Sequence, residues 1–181
     1  MYPTFLKPTT IEIFIIEGKQ IEIPKCVVSF KKWNGESLKE TFGGKPIVSV
    51  DNTPMFVELA ILSEFVKAGW NGRWIETYGK SKSNPIYLST WIDDIYSKQT
   101  NHPIEDNEII KLLTNISCIN KNSYAGCWDI LGWKEEKILF TEAKRNKKDR
   151  IRITQNKWLA AALEYGIKVD DFLIVQWEIN E

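Results

Sequence analysis

The chain has 181 residues with 24 basic and 24 acidic side chains, so no overall charge directs it to nucleic acid or to a membrane surface. Its length and ordinary globular composition predict one domain with a full hydrophobic core. A single histidine and three cysteines without CxxC spacing disfavour a histidine-based metal site, a Ser-His-Asp triad and a zinc site. The cysteines are expected to be reduced, buried thiols.

The first residues contain no signal for export or membrane insertion. No basic region is followed there by a long apolar core, and the apolar run at residues 11–16 is short and interrupted by Glu12. We therefore expect a cytoplasmic protein with no membrane partner.

Residues 1–50 have the pattern of a small β meander. Turn signals at Glu17-Gly18 and Gly43-Gly44 separate short apolar runs. These runs lie at residues 11–16, 20–23, 26–30 and 47–50. We interpret this part as an N-terminal β extension, and it carries no chemistry that the sequence identifies.

A helix is predicted from Thr53, as N-cap, and Pro54, at the first helical position, to about Ala68, with Gly69 ending it. At 100° per residue, Glu58 falls inside the apolar face. A carboxylate in that position requires a metal or a polar partner, because an unpaired buried charge is costly. A backbone group or a lysine is the alternative to a metal. The other members of the face are Met55, Leu59, Leu62, Phe65 and Val66.

A strand is predicted at residues 73–78 from its aromatic and β-branched content. An insertion of about residues 79–122 follows, and it includes a helix-like segment at 104–118. The acidic residues of the insertion are interpreted mainly as helix caps and solvated surface.

Residues 126–144 predict a β-hairpin, because two apolar runs are joined by a charged turn at 134–137. Glu142 and Lys144 are two residues apart on the second strand, so their side chains project to the same face. Pairing around the turn returns Asp129 close to Glu142. An ordinary cross-strand ion-pair cluster would have the same sequence pattern.

The segment after the hairpin is strongly basic. Residues 144–152 hold six basic side chains and one acidic one, which indicates either a solvated loop or a guide for a phosphate backbone. The nucleic-acid-binding candidates are Arg145, Lys147, Lys148, Arg150 and Arg152.

Thr154 is predicted to cap the next helix, which runs from Gln155 to Tyr165 and stops at Gly166. Gln155 falls on the inner face of this helix, and a buried strand is predicted at residues 172–179. The other residues predicted on that face are Trp158, Leu159, Ala162 and Tyr165.

Carboxylates without softer ligands favour a hard cation, and Mg²⁺ or Mn²⁺ suits a site that retains waters for a phosphate substrate. Such an ion would lower the pKa of a bound water and neutralise charge that develops on phosphorus. Lys144 would position that water or stabilise the transition state as a point charge.

Asp129, then Glu142-Ala143-Lys144, a basic loop and a helix opened by Gln155 resemble the PD-(D/E)xK nuclease superfamily. The segment EAKRNKKDRIRITQNKWLAAALEYG followed by a strand is most similar to the virus-type replication-repair nuclease (VRR-NUC) branch. The resemblance covers about residues 53–179. It implies an α/β fold with a restriction-endonuclease-like αβββαβ core and a mixed central sheet. Residues 51–181 would then form the nuclease-like domain.

Carried over by position, the resemblance makes Asp129 and Glu142 ligands of Mg²⁺ or Mn²⁺. The backbone carbonyl of Ala143 would be a third ligand, and Glu58 matches the helix glutamate that supports a metal.

Lys144 matches the catalytic lysine, and Gln155 matches the glutamine that supports the lysine or the attacking water. One departure is Trp128, which stands where the family pattern has proline before the aspartate. It either packs in the core or reaches a base.

The resulting expectation is a metal-dependent endonuclease that acts on DNA. By resemblance it would act as a homodimer, with structure-specific cleavage of branched DNA in repair, recombination or phage replication. The alternatives are a catalytically inactive nucleic-acid or protein-binding module on the same fold, and an RNA- or restriction-type nuclease.

Overall fold

A computed structural model of the chain describes residues 2–77 and 82–180. The predicted strand residue Tyr78 and the first part of the predicted insertion, residues 79–81, lie outside these ranges. In the described ranges the α-helices are α1 (Val57–Lys67), α2 (Asn107–Ile119) and α3 (Ile153–Tyr165). The strands are β1 (Thr10–Ile16), β2 (Lys19–Lys32), β3 (Ile47–Val50), β4 (Thr53–Phe56), β5 (Asn71–Glu76), β6 (Ile86–Leu88), β7 (Ile130–Lys134), β8 (Lys137–Arg145) and β9 (Phe172–Asn180).

All these strands join one mixed sheet in the order β4-β3-β2-β9-β8-β7-β5-β6, with β1 paired to β2. Strands β5, β7 and β8 form an antiparallel meander. Strand β9 is parallel to β8, and α3 makes the crossover that a parallel pair requires. The predicted α/β class with a mixed sheet is confirmed.

The sheet has a hydrophobic layer on each face, because neighbouring strand residues point to opposite sides. Leu173 and Val175 of β9 pack in the layer that contains α1. Phe172 and Ile174 pack in the layer that contains α2 and α3. On β8, Phe140 belongs to the second layer, so residues 142 and 144 face α3.

The predicted hairpin is present. Ile130 pairs with Thr141, and Lys134 pairs with Lys137 around a two-residue turn. Glu135 in this turn has a positive φ of 55°. The register continues to place Asp129 opposite Glu142, as the sequence predicts.

The predicted start of the first helix is wrong. Thr53 and Pro54 belong to β4, which pairs with β3, and α1 begins at Val57. The proline is accommodated because β4 lies at the edge of the sheet. A hairpin turn at Asp51 and Asn52, both with positive φ, connects these strands.

Smaller corrections concern exposure and strand continuity. The runs at residues 20–23 and 26–30 form one strand, β2, rather than two. Val66 is exposed rather than part of the buried face of α1. Cys26 and Cys127 are buried free thiols as expected, but Cys118 is exposed.

Within residues 2–77 and 82–180, no helix is both long and apolar enough to cross a membrane.

Gly126 allows the segment before β7 to approach the first turn of α3 closely. It has a φ of +83°, and a Cβ placed on it would lie 2.0 Å from the carbonyl oxygen of Thr154 and 2.8 Å from the backbone nitrogen of Gln155. Glycine at this position therefore sets the distance between the hairpin and the helix that carries Gln155.

Gly126→Ala is expected to lower the free energy of unfolding by about 2–5 kcal/mol, the sum of a left-handed backbone cost and an overpacking cost. Gly18→Ala is the matched control. Gly18 has a φ of +75°, and its Cβ would meet no described atom within 4 Å. The control should lose only about 1–2 kcal/mol. Equal losses in denaturant titrations of the two variants would contradict the proposed close approach.

Candidate active site

Glu142 lies on the central strand β8 and is 3% exposed. Its Oε1 accepts a hydrogen bond of 2.5 Å from Nε2 of Gln155 and lies 2.9 Å from Nζ of Lys144. Lys144 in turn donates to Oε1 of Gln155 over 3.0 Å. The three side chains form a closed group between β8 and α3.

Asp129 lies immediately before β7, across from Glu142. Its Oδ2 accepts a hydrogen bond of 3.0 Å from the backbone N–H of Ala143. Its own carbonyl oxygen accepts one of 2.7 Å from the N–H of Ile75 on β5. The strand β8 thus holds the carboxylate of Asp129, and β5 holds its backbone.

The pKa of Glu142 is well above its ordinary value, first because the side chain is buried and second because the charge of Asp129 opposes ionisation. Lys144 lowers the pKa of Glu142 but does not offset these two effects. Oε2 of Glu142 is buried and accepts no hydrogen bond from a donor among the described residues, although a hydrogen bond with the carboxyl group of Asp129 contributes to the raised pKa of Glu142. An orphaned buried carboxylate oxygen is rare and calls for a ligand or a functional explanation.

Gln155 occupies the third position of α3 and is 8% exposed. Its Oε1 also accepts from the backbone N–H of Arg152 over 2.8 Å, so the side chain caps the helix while it holds Lys144 and Glu142. The prediction of Thr154 as N-cap is therefore wrong, since Arg152 has that position. Tyr165, predicted on the inner face, is 39% exposed.

Glu58 is buried in the first turn of α1, and its carboxylate pairs with the ammonium group of Lys45. Burial raises the pKa of Glu58 although Lys45 lowers it, and the charge of Asp129 adds to the increase. From the sequence, the buried carboxylate of Glu58 needed either a metal ion or a polar partner such as a lysine, and the structure pairs it with Lys45. Lys45 itself was not predicted, because a single lysine after Gly43 and Gly44 has no distinguishing pattern.

The candidate site offers few ligands for a divalent cation. Asp129 and Glu142 offer oxygen ligands only, one of them orphaned and buried, which fits Mg²⁺ or Mn²⁺ completed by water and phosphate oxygens. No group of three or more His, Cys, Asp or Glu residues capable of holding a metal occurs in the described part of the chain. The roles of the Ala143 carbonyl and of Glu58 as metal ligands remain predictions.

The basic loop, residues 145–152, extends from the end of β8 to α3. The exposed basic side chains are Lys147, Lys148, Arg150 and Arg152. Arg145 is half-buried, with its guanidinium group 5.4 Å from the ring centre of Trp177. Four of the five predicted nucleic-acid-binding residues thus present their charge to solvent beside the candidate site.

Trp128 is fully buried. Its ring stacks on Phe14 at 5.9 Å and meets the ring of Phe172 edge-on at 4.9 Å. It therefore packs in the core, and the alternative in which it reaches a base is wrong. The tryptophan also attaches β1 to the layer beneath α3.

Comparison with family models, with curated proteins and with solved structures finds no significant match to this chain.

Replacement of Glu142 by glutamine should change the pH dependence of stability in metal-free buffer. Since the folded pKa of Glu142 is raised, its contribution to stability is present at low pH and is lost as the pH rises through that pKa. Relative to wild type, the unfolding free energy of Glu142→Gln should therefore increase by about 1–3 kcal/mol between pH 5 and pH 8.

Denaturant titrations in EDTA at the two pH values measure this difference. Glu136→Gln, in the exposed hairpin turn, is the control and should stay within about 0.5 kcal/mol of wild type at both. A difference between Glu142→Gln and wild type that does not change with pH would contradict the account of the buried carboxylate.

Proposed function

We propose that this protein is a Mg²⁺-dependent nuclease that hydrolyses phosphodiester bonds in DNA. The observation that carries the proposal is the buried oxygen Oε2 of Glu142, which receives no hydrogen bond from the described residues, while Nζ of Lys144 lies 2.9 Å from the other oxygen, and burial and then the charge of Asp129 raise the pKa of the group. A purely structural ion pair has no need for a second carboxylate that opposes its ionisation. A metal ion would satisfy that oxygen and offset the repulsion between the two acids.

The resemblance to the PD-(D/E)xK superfamily supports the same function. The order α1, β5, β7, β8, α3 and β9 agrees with its αβββαβ core, with β6 and α2 lying between β5 and β7. We therefore propose a restriction-endonuclease-like core in residues 51–181. Within that superfamily, the motif order favours the VRR-NUC branch, and with it a homodimer that acts on branched DNA.

Each residue of the group has a distinct task in this proposal. Asp129 and Glu142 would hold the cation, which supplies a water of lowered pKa and positive charge at the phosphate. Lys144 carries its ammonium group next to Glu142, where it can stabilise negative charge on the scissile phosphate. Gln155 fixes both Lys144 and Glu142, so neither must reorganise when substrate binds.

A non-catalytic nucleic-acid or protein-binding module is the second candidate. It is favoured by the absence of a three-ligand metal group from the described residues and by the exposed basic loop, which suits binding without cleavage. RNA-directed and restriction-type cleavage use the same chemistry, so a substrate panel distinguishes them from cleavage of branched DNA.

Asp129→Asn and Lys144→Met should each reduce Mg²⁺-dependent cleavage by at least about 100-fold, because the first weakens a ligand of the cation and the second removes a positive charge that would stabilise the phosphate in the transition state. The assay compares a four-way junction, a flap, linear duplex, single-stranded DNA and RNA, with Mg²⁺ or with EDTA.

Lys137→Met is the matched control for Lys144→Met, since Lys137 is exposed at the other end of β8. It should retain wild-type activity. Full cleavage by both site variants, or no metal-dependent cleavage of any substrate by the wild type, would refute the proposed nuclease activity.

Neutralisation of Lys147, Lys148 and Arg150 to glutamine should weaken DNA binding and reduce the slope of log K against log salt. Each lost phosphate contact lowers the slope by about 0.9 for duplex DNA, so the expected change is about 2–3. Fluorescence anisotropy at several salt concentrations, in EDTA to prevent cleavage, measures the slope.

The control carries the same number of neutralised charges at exposed residues outside the basic loop, Lys7, Lys19 and Lys137. Its salt slope should equal that of the wild type. An unchanged slope in the loop variant would mean that the basic loop is ordinary solvated surface.

A further inference from the structure

The basic loop contains one acidic residue, Asp149, which forms no salt bridge with the basic side chains around it. Asp149 lies between Lys148 and Arg150, but its Oδ2 accepts a hydrogen bond of 2.8 Å from the backbone N–H of Arg145. In the described part of the chain, no salt bridge reaches the charged groups of Lys147, Lys148 or Arg150. The carboxylate of Asp149 therefore bonds to the backbone of the loop and leaves these basic groups unpaired.

This carboxylate closes a turn. The carbonyl oxygen of Arg145 accepts hydrogen bonds of 3.1 Å from the N–H groups of both Lys148 and Asp149. Because the Asp149 carboxylate returns a bond to the N–H of Arg145, the two ends of the turn are joined twice. Lys147, inside the turn, has a φ of +58°, a left-handed conformation that is unfavourable for a residue with a Cβ. Such a turn needs contacts that hold it, and Asp149 supplies one of them.

The start of the loop is also attached to β9. Asn146 donates its backbone N–H to the carbonyl of Trp177 over 2.8 Å and its side-chain amide to Oε2 of Glu178 over 3.2 Å. Oε1 of Glu178 accepts a bond of 3.2 Å from the hydroxyl of Ser29 on β2. The guanidinium group of Arg145 lies 5.4 Å from the ring centre of Trp177. These contacts hold one end of the loop on the sheet, while its other basic side chains remain exposed.

We propose that Asp149 is a positioning residue that holds the basic loop in a preformed shape for contact with the phosphate backbone of nucleic acid. A negative charge among phosphate contacts opposes binding. A preformed loop, however, loses less conformational freedom on binding than a flexible one, and this gain in affinity exceeds the loss from the charge. The role of Asp149 rests on the proposed nuclease function, since it concerns the same substrate.

Asp149→Asn and Asp149→Ala separate the charge of the side chain from its hydrogen bond. Both remove one negative charge, but asparagine keeps an oxygen that can accept from the N–H of Arg145. Asp149→Asn should bind a labelled linear DNA duplex at least as tightly as the wild type. Asp149→Ala should bind about five- to tenfold more weakly than Asp149→Asn, because its loop must be ordered on binding. Fluorescence anisotropy in EDTA at one salt concentration measures the difference.

Asp106→Asn and Asp106→Ala are the matched control pair. The Asp106 carboxylate also accepts from backbone N–H groups, those of Glu108 and Ile109, but it does so at the start of α2. The two control variants should have equal DNA affinities. Hydrogen exchange of the DNA-free proteins gives a second measurement, since residues 145–149 should exchange faster in Asp149→Ala than in Asp149→Asn.

Equal DNA affinities of the two Asp149 variants, or equal exchange rates in their loops, would overturn the role of Asp149. If the wild type still bound and cleaved DNA, the proposed nuclease function would be unaffected by that result. A wild type that neither binds nor cleaves DNA would overturn both proposals.

Discussion

Glu142 is held in the middle of a sheet, 3% exposed, with one oxygen bonded to Gln155 and Lys144 and the other accepting no hydrogen bond from a donor among the described residues. Burial of a carboxylate beside Asp129 is unfavourable for the metal-free protein, since both effects raise its pKa. The surrounding elements therefore have to hold the acids in place. Strand β8 lies between β7 and β9, and α3 closes the group with the side chain that also caps its own first turn.

The site is assembled from both faces of the sheet. Lys144 and Gln155 reach Glu142 from the face covered by α3, whereas Glu58 belongs to α1 in the opposite layer. Asp129 connects the two sets, because its charge acts on Glu142 and on the pair of Glu58 with Lys45. The N-terminal strands continue the sheet beyond β9, and the segment between β2 and β3 brings Lys45 to this junction. The extension thus contributes the partner of Glu58 as well as strands of the sheet.

The parts of the site that local periodicity determines could be predicted from the sequence. Alternation along β8 places Glu142 and Lys144 on one face, and helical spacing turns Glu58 and Gln155 inward. The start of α1 was misplaced, because a Thr-Pro pair suits an edge strand as well as a helix N-terminus. Lys45 was missed for another reason. Its contact with Glu58 joins a loop to a helix, and no periodic pattern encodes such a pairing.

We propose that Asp129 and Glu142 form the metal site of a nuclease, and an anomalous difference map from crystals of the wild type soaked in Mn²⁺ would locate the ion. The map should contain one peak within about 2.0–2.6 Å of a carboxylate oxygen of each acid, the distance range of oxygen-ligated divalent cations. A crystal in which Mn²⁺ is bound only elsewhere, with the orphaned oxygen of Glu142 satisfied by an ordered water, would contradict it.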